Sequence, residues 1–257
     1  MSSTSRKTAY YEEIISMKHP RIPTLFLHVP KTGGISLNRI MQEQYERNEL
    51  YVLDNWRVRQ SVQELLKSNE LQQKSLAMIS GHFQFGLHES LPYKFRYMTI
   101  LRDPVSRILS LYFYILRNKG HNQHDRLTEE QLRHGNNEAL RGFVFENQSA
   151  ACSNAQVRQI SGTRFGYQEC TSDILALAKE NIEKHFIAVG KQERYTTFVS
   201  NVSRILKWKD AKIYPFNKGN YQSGNIEQSL LNEIRELNRF DIELCEFIGD
   251  GKFSFQD

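Results

Sequence analysis

Three things are scarce in this chain: cysteine, long apolar runs and charge of one sign. Cys152, Cys170 and Cys245 form an odd set with no CxxC pair and no histidine pair at zinc spacing. That argues against a metal site and a disulfide framework, and the three read as reduced structural thiols. A Cys152–Cys170 disulfide stays open only for an exported chain. No apolar run reaches the length of a bilayer span, so stable membrane insertion is not expected. The first 22 residues lack the apolar centre of a signal peptide and carry Glu12 and Glu13, so the expected location is cytoplasmic. Thirty-four Lys and Arg against 29 Asp and Glu leave a net charge of +5, a mild excess that suits a small polyanionic ligand and makes no case for nucleic acid. Two phosphate-binding signatures are missing as well. No GxxxxGK followed by Ser or Thr occurs, and no GxGxxG, which argues against a nucleotide-hydrolase loop and a dinucleotide fold. There is no repeat, low-complexity block or linker. A loose polar arm over 1–22 and a single domain over 23–257 are the expected organisation.

What the chain does have begins at Thr24, in TLFLHVPKTGGISL. A β-prone run over 25–29 is stopped by Pro30, then come Lys31, Thr32, Gly33 and Gly34, and Ile35, Leu37, Ile40 and Met41 recur at helical spacing. A strand, a glycine turn and a helix start bring bare backbone amides and the positive end of a helix dipole to one point. Lys31 adds a mobile charge there, and the Thr32 and Ser36 hydroxyls add donors. The loop is built to hold a phosphate, the alternative being an ordinary turn with a solvated lysine.

A second unit, YMTILRDPVSRILSLYFYILR, repeats the plan over residues 97–117. A short strand over 97–101 ends at Arg102, and Asp103-Pro104 is a helix start. Ile108, Leu109, Leu111, Tyr112, Ile115 and Leu116 give the helix its apolar face. Arg102 stands at the carboxyl end of its strand, where open α/β sheets bind ligands, and Ser110 lies two turns along the helix. A guanidinium fork with a hydroxyl suits a terminal phosphate.

These two units resemble the 5′-phosphosulfate loop and the 3′-phosphate motif of sulfotransferases that use 3′-phosphoadenosine 5′-phosphosulfate (PAPS). The likeness is to the carbohydrate branch containing the heparan sulfate 2-O- and 6-O-sulfotransferases and their bacterial relatives. SGHFQFGLH places His82 after a short strand, where those enzymes carry a catalytic histidine, and NAQVRQISG resembles their NxQxR-type segment. FIAVGKQERYTTFV resembles the strand, turn and helix that follow, so the likeness runs from about Leu25 to Phe198. It implies a bacterial enzyme moving the sulfuryl group of PAPS to a hydroxyl of a small molecule or glycan, with no metal. His82 would be the base, with His88 as a rival, and Lys31 would stabilise the leaving phosphate. Thr32, Gly33, Gly34, Ile35 and Ser36 would hold the 5′-phosphate through backbone amides. Arg102 and Ser110 would hold the 3′-phosphate, and Arg158 would face donor or acceptor, with a surface salt bridge as its alternative. Arg107 is expected to be structural, and Asn217, Lys218 and Gly219 to close over the nucleotide.

The coarse pattern alternates strands (25–29, 77–80, 97–101, 186–189) with helices (34–46, 60–73, 104–118, 137–147, 152–160, 172–184, 194–207 and 226–247). That predicts an α/β fold, a mostly parallel sheet covered on both faces. Loops 47–60, 83–96 and 118–136 would set acceptor choice, with Tyr51, Trp56, Phe83, Phe85, Tyr112 and Tyr114 as candidates to stack on a sugar. His121, His124 and His134 read as a solvated loop. Two other functions stay open on sequence grounds: a kinase-like nucleotide phosphotransferase and a non-catalytic nucleotide- or glycan-binding module.

Overall fold

The β-prone segments form one sheet in the computed structural model, which describes residues 23–121, 124, 137–214 and 226–254. The expected arm over 1–22, His134 with most of 119–136, and Asn217, Lys218 and Gly219 lie outside the described residues. The strands are β1 (Thr24–Leu27), β2 (Leu50–Val52), β3 (Met78–Gly81), β4 (Arg96–Leu101), β5 (Phe186–Lys191) and β6 (Gly251–Phe253). They are ordered β2-β3-β1-β4-β5-β6. The first five run parallel, and β6 pairs antiparallel with β5 at the edge.

The strands are apolar almost without interruption because both sheet faces are covered. Leu25 and Leu27 point to one side with Ile79 and Tyr97, while Phe26 points to the other with Met78, Met98 and Ile100. Two helices cover the Phe26 face, α1 (Gly34–Gln44) through Leu37, Ile40 and Met41, and a later one over Tyr195–Ile205 through Phe198 and Val202. The opposite face is covered by α2 (Val58–Leu66) and by helices over Ala155–Ser161, Ser172–His185 and Arg239–Phe247. In chain order the remaining labels are α3 (Pro104–Arg117), α4 (Ala155–Ser161), α5 (Ser172–His185), α6 (Tyr195–Ile205), α7 (Gln228–Leu237) and α8 (Arg239–Phe247). From Val105 to Ile115, α3 packs beside the sheet against Leu140, Phe143, Leu230 and Ile234 in a third apolar cluster.

The α/β class and the parallel sheet are as expected, and five local readings are corrected. Residues 50–52, read as loop, are an edge strand, and 251–253 add an antiparallel strand the sequence reading omits. The helix expected over 60–73 starts at Val58 and stops after Leu66. Ser68 turns extended and its Oγ accepts from the Leu71 amide at 3.3 Å, capping a separate turn. The helix expected over 152–160 begins only at Ala155, because Asn154 takes left-handed angles (φ 45°). The helix expected over 226–247 divides at Asn238, which is fully buried; its Nδ2 donates to the carbonyls of Cys152 and Ile234 at 2.9 Å each. Asn154 Oδ1 accepts from the amides of Phe240 and Asp241 at 3.1 Å, capping α8 from a distant part of the chain.

Candidate active site

Three neighbouring strands, β3, β1 and β4, deliver His82, Lys31 and Arg102 to the same carboxyl edge. The chain leaves β1 for one side of the sheet order and returns on the other, which makes this edge the crevice where such sheets take ligands.

Lys31 opens the loop with φ 71° and Gly33 closes it with φ 94°, directly before α1. A lysine at positive φ costs on the order of 1–3 kcal/mol, so the turn must be held from outside. Thr32, fully buried, donates its hydroxyl to the Val29 carbonyl at 2.8 Å, and Arg102 Nη1 donates to the Lys31 carbonyl at 3.0 Å. The Thr32 hydroxyl is therefore a brace for the turn. Gly33 gives α1 no side-chain cap and no acidic residue stands in its first turn, so its electropositive end suits an anionic ligand. Ser36 gives its amide to the Gly33 carbonyl at 3.2 Å, which leaves its hydroxyl as the group that can face an anion. Ile35 turns its side chain outward, and only its amide belongs to the loop.

The Lys31 ammonium lies 4.0 Å over the centre of the Tyr114 ring, on α3. Burial, with Arg102 and Arg117 nearby, brings its pKa down to about 8. Ser110, Tyr114 and Arg117 recur at helical spacing on α3, so Ser110 shares the flank that Lys31 touches.

His82 is half-buried, and its Nδ1 lies 2.7 Å from the His28 carbonyl. A carbonyl only accepts, so Nδ1 carries the hydrogen and Nε2 keeps its lone pair. Burial lowers the His82 pKa and the His28 carbonyl opposes that shift. His88 goes elsewhere. Its Nδ1 meets the Tyr97 hydroxyl at 2.9 Å, and its ring packs against Phe85 and His185 at the amino end of β5. That hydroxyl also accepts from the amides of Gly86 and His88.

The structure adds residues that sequence reasoning missed. His28 is buried between Phe26 and His82, with ring centroids 5.4 and 4.3 Å apart, and its Nδ1 has no hydrogen-bond partner among the described residues. Burial first, then His82 and Lys31, hold its pKa well below the ordinary imidazole value. A Cβ on Gly34 would lie 2.2 Å from the His28 ring, so the second loop glycine is required by close approach. The signal was there, since His28 interrupts an apolar strand immediately before the loop. Gln156 exchanges two hydrogen bonds with the Arg102 backbone, at 2.9 and 2.8 Å, and Gln159 Nε2 donates to the carbonyls of His28 and Phe83 at 3.0 and 2.9 Å. Helix α4 thus ties the ends of β4, β1 and β3 together.

Arg158 turns away from this set, donating to the carbonyls of Phe165 and Gly166 with its guanidinium 3.7 Å over the Phe165 ring. Arg107 is buried, donates to the Ala151 carbonyl at 2.6 Å and has the buried Asp241 beside it. Of the aromatic candidates, Phe83 and Tyr112 belong to the apolar clusters and Tyr51, Phe85 and Tyr114 lie against them, Tyr114 also meeting Lys31, whereas Trp56 meets the His121 ring. The three cysteines are free and buried, and among the described residues no group of side chains could hold a metal ion and no helix is long and apolar enough to cross a membrane.

A search of curated protein sequences returns no match. Among solved structures, the chain is similar to a sulfotransferase from Alicyclobacillus acidocaldarius at 14% identity and a TM-score of 0.43, covering 89% of this chain and 95% of that one. It is also similar to mouse sulfotransferase SULT7A1 complexed with PAP, at 11% identity and a TM-score of 0.42, covering 93% of this chain and 70% of that one. The family model described as the sulfotransferase family matches residues 17–247 and takes in both loops and α4, so the chain belongs to the sulfotransferase family.

Proposed function

We propose that the protein transfers the sulfuryl group of PAPS to a hydroxyl of a sugar or glycan, with His82 as the base. The observation that carries this reading is the joining of three elements at one edge: Lys31 in its phosphate-type loop, Arg102 hydrogen-bonded to that loop, and His82 with Nε2 free. The loop fits a 5′-phosphate because α1 starts uncapped and Gly34 lets the backbone come close. Lys31, the amides of residues 32–35 and the Ser36 hydroxyl would hold that end of the donor. Arg102 and Ser110 would hold the 3′-phosphate, whereas Arg158 joins only if it leaves Phe165 and Gly166.

When bound, the donor supplies a sulfur carried on a phosphate leaving group. His82 Nε2 takes the proton of the acceptor hydroxyl as its oxygen bonds to sulfur. Lys31 and the loop amides stabilise the negative charge that collects on the departing phosphate oxygen as the sulfur–oxygen bond breaks. His28 holds the imidazole so that it reaches the proton only through Nε2.

Calorimetric titration with 3′-phosphoadenosine 5′-phosphate (PAP) tests the donor. Micromolar-range binding that Arg102→Ala weakens by about 2 kcal/mol or more is expected, as for loss of a charged phosphate contact. Equal affinity for adenosine 5′-phosphate, or a preference for ATP with magnesium, would move the protein to the phosphotransferase reading.

A further inference from the structure

A row of rings leads outward from Lys31. Its ammonium lies on Tyr114, Tyr114 meets His121 edge-on at 5.6 Å and 90°, and His121 meets Trp56 at 5.5 Å and 68°. The row is assembled from three places in the chain. Tyr114 lies one turn beyond Ser110 on α3. Asn118, at the end of α3, donates from Nδ2 to the Tyr114 hydroxyl at 2.9 Å and accepts the His121 amide on its carbonyl at 3.0 Å. That turn folds His121 back onto the tyrosine. Trp56 comes from the other side, in the loop after β2, where Asp54 accepts the Trp56 amide at 2.8 Å and the Arg57 Nε at 3.1 Å.

Two features ask for a ligand. Trp56 is 59% exposed and belongs to none of the three apolar clusters, whereas the other tryptophan, Trp208, is 7% exposed and bonds to Tyr45. The sheet order also places the row. Trp56 follows β2 and His82 follows β3, both on one side of Lys31, while Arg102 follows β4 on the other. Tyr114 and His121 come from α3 and the turn after it, beyond Arg102, so the row runs from the arginine side of Lys31 to Trp56 on the side of the base.

We propose that Trp56, His121 and Tyr114 form the wall on which the acceptor lies, and that the acceptor group seated there is a sugar ring. The inference rests on the sulfuryl-transfer reading of Lys31 and His82. A flat phenol or a lipid would call for an enclosed apolar slot, since small apolar ligands bury most of their surface. Here the rings stand edge-on to one another and the outermost is open to solvent. Such a wall covers the C–H face of a polyhydroxylated ring and leaves its hydroxyls in water. Burial, then Lys31 and His124, push the His121 pKa down, which favours the uncharged ring.

Saturation-transfer NMR on the PAP-loaded full chain tests this, with chitotetraose, an unsulfated chondroitin tetrasaccharide and 4-nitrophenol as probes. Transfer to ring protons of at least one sugar is expected, falling about fivefold or more in Trp56→Ala and His121→Ala and staying within about twofold in Trp56→Phe. The two sugars show whether the acceptor is neutral or acidic. PAP affinity, measured on the same samples, should be unchanged by all three substitutions. Absence of sugar signal with PAP bound, a signal that survives Trp56→Ala, or stronger transfer to 4-nitrophenol than to either sugar overturns the sugar wall alone. Failure of the wild type to bind PAP takes down the sulfuryl-transfer reading and this inference with it.

Discussion

Lys31 and His82 make opposite demands on pH. In the proposed mechanism His82 acts as a neutral base, and burial holds its pKa below the ordinary imidazole value, so activity should persist further into acid than an exposed histidine allows. Lys31 must be charged, and its pKa of about 8 places loss of kcat/KM on the alkaline side near that value. The expected profile is a bell whose alkaline limb moves up when the anionic donor is bound, so kcat should extend to higher pH than kcat/KM. An alkaline limb of kcat/KM unchanged in Lys31→Arg would count against Lys31 as the titrating group. His82→Ala should lower kcat by roughly 10²–10⁴-fold and leave PAP affinity near that of the wild type. His28 offers a sharper test of how the two halves are joined. Gly34→Ala drives a methyl into the His28 ring. It should therefore weaken PAP binding and disturb the His82 ring signals in NMR together. A substitution that changed only one of the two would show that loop and base are not coupled through this ring.

At the scale of elements, α4 explains why part of the site was legible and part was not. The two strand–loop–helix units can be read from sequence because glycine pairs and an Asp-Pro start are local devices, decided by backbone sterics within a few residues. In NAQVRQISG the arginine draws attention as the natural anion ligand. Yet Gln156 and Gln159, three apart on one helix face, reach the strand ends, and Arg158 points off that face to Phe165 and Gly166. Which face meets the sheet is a tertiary fact that seven residues of helix do not announce. The short strand β2, the extra strand β6 and the break at Asn238 were hidden for the same reason, since each depends on distant partners. Gln156→Leu should remove the side-chain acceptor of the Arg102 amide and one donor to its carbonyl, which keeps the Cys245 thiol at 3.4 Å, and destabilise the fold by about 1–3 kcal/mol. Weakened PAP binding should accompany that loss. A destabilised variant with wild-type PAP affinity would mean that α4 supports the sheet and leaves Arg102 alone.

Across the whole molecule, the site joins a lysine at positive φ, a helix start that Gly33 leaves without a side-chain cap and a guanidinium donating to a loop carbonyl. Burial first, and then Arg102 and Arg117, lower the Lys31 pKa, so gathering these positive charges at a partly buried site disfavours the ligand-free fold. A doubly phosphorylated nucleotide reverses the sign of that interaction. Ligand linkage at 100 times the dissociation constant contributes about 2.7 kcal/mol, which for a chain of this size raises Tm by roughly 5–10 °C. Thermal melts with PAP, adenosine 5′-phosphate and ATP should rank PAP first, and Arg102→Ala should bring its shift down to that of adenosine 5′-phosphate. An equal shift for PAP in Arg102→Ala would mean that the loop alone recognises the nucleotide. The 3′-phosphate would then have to be sought on other residues.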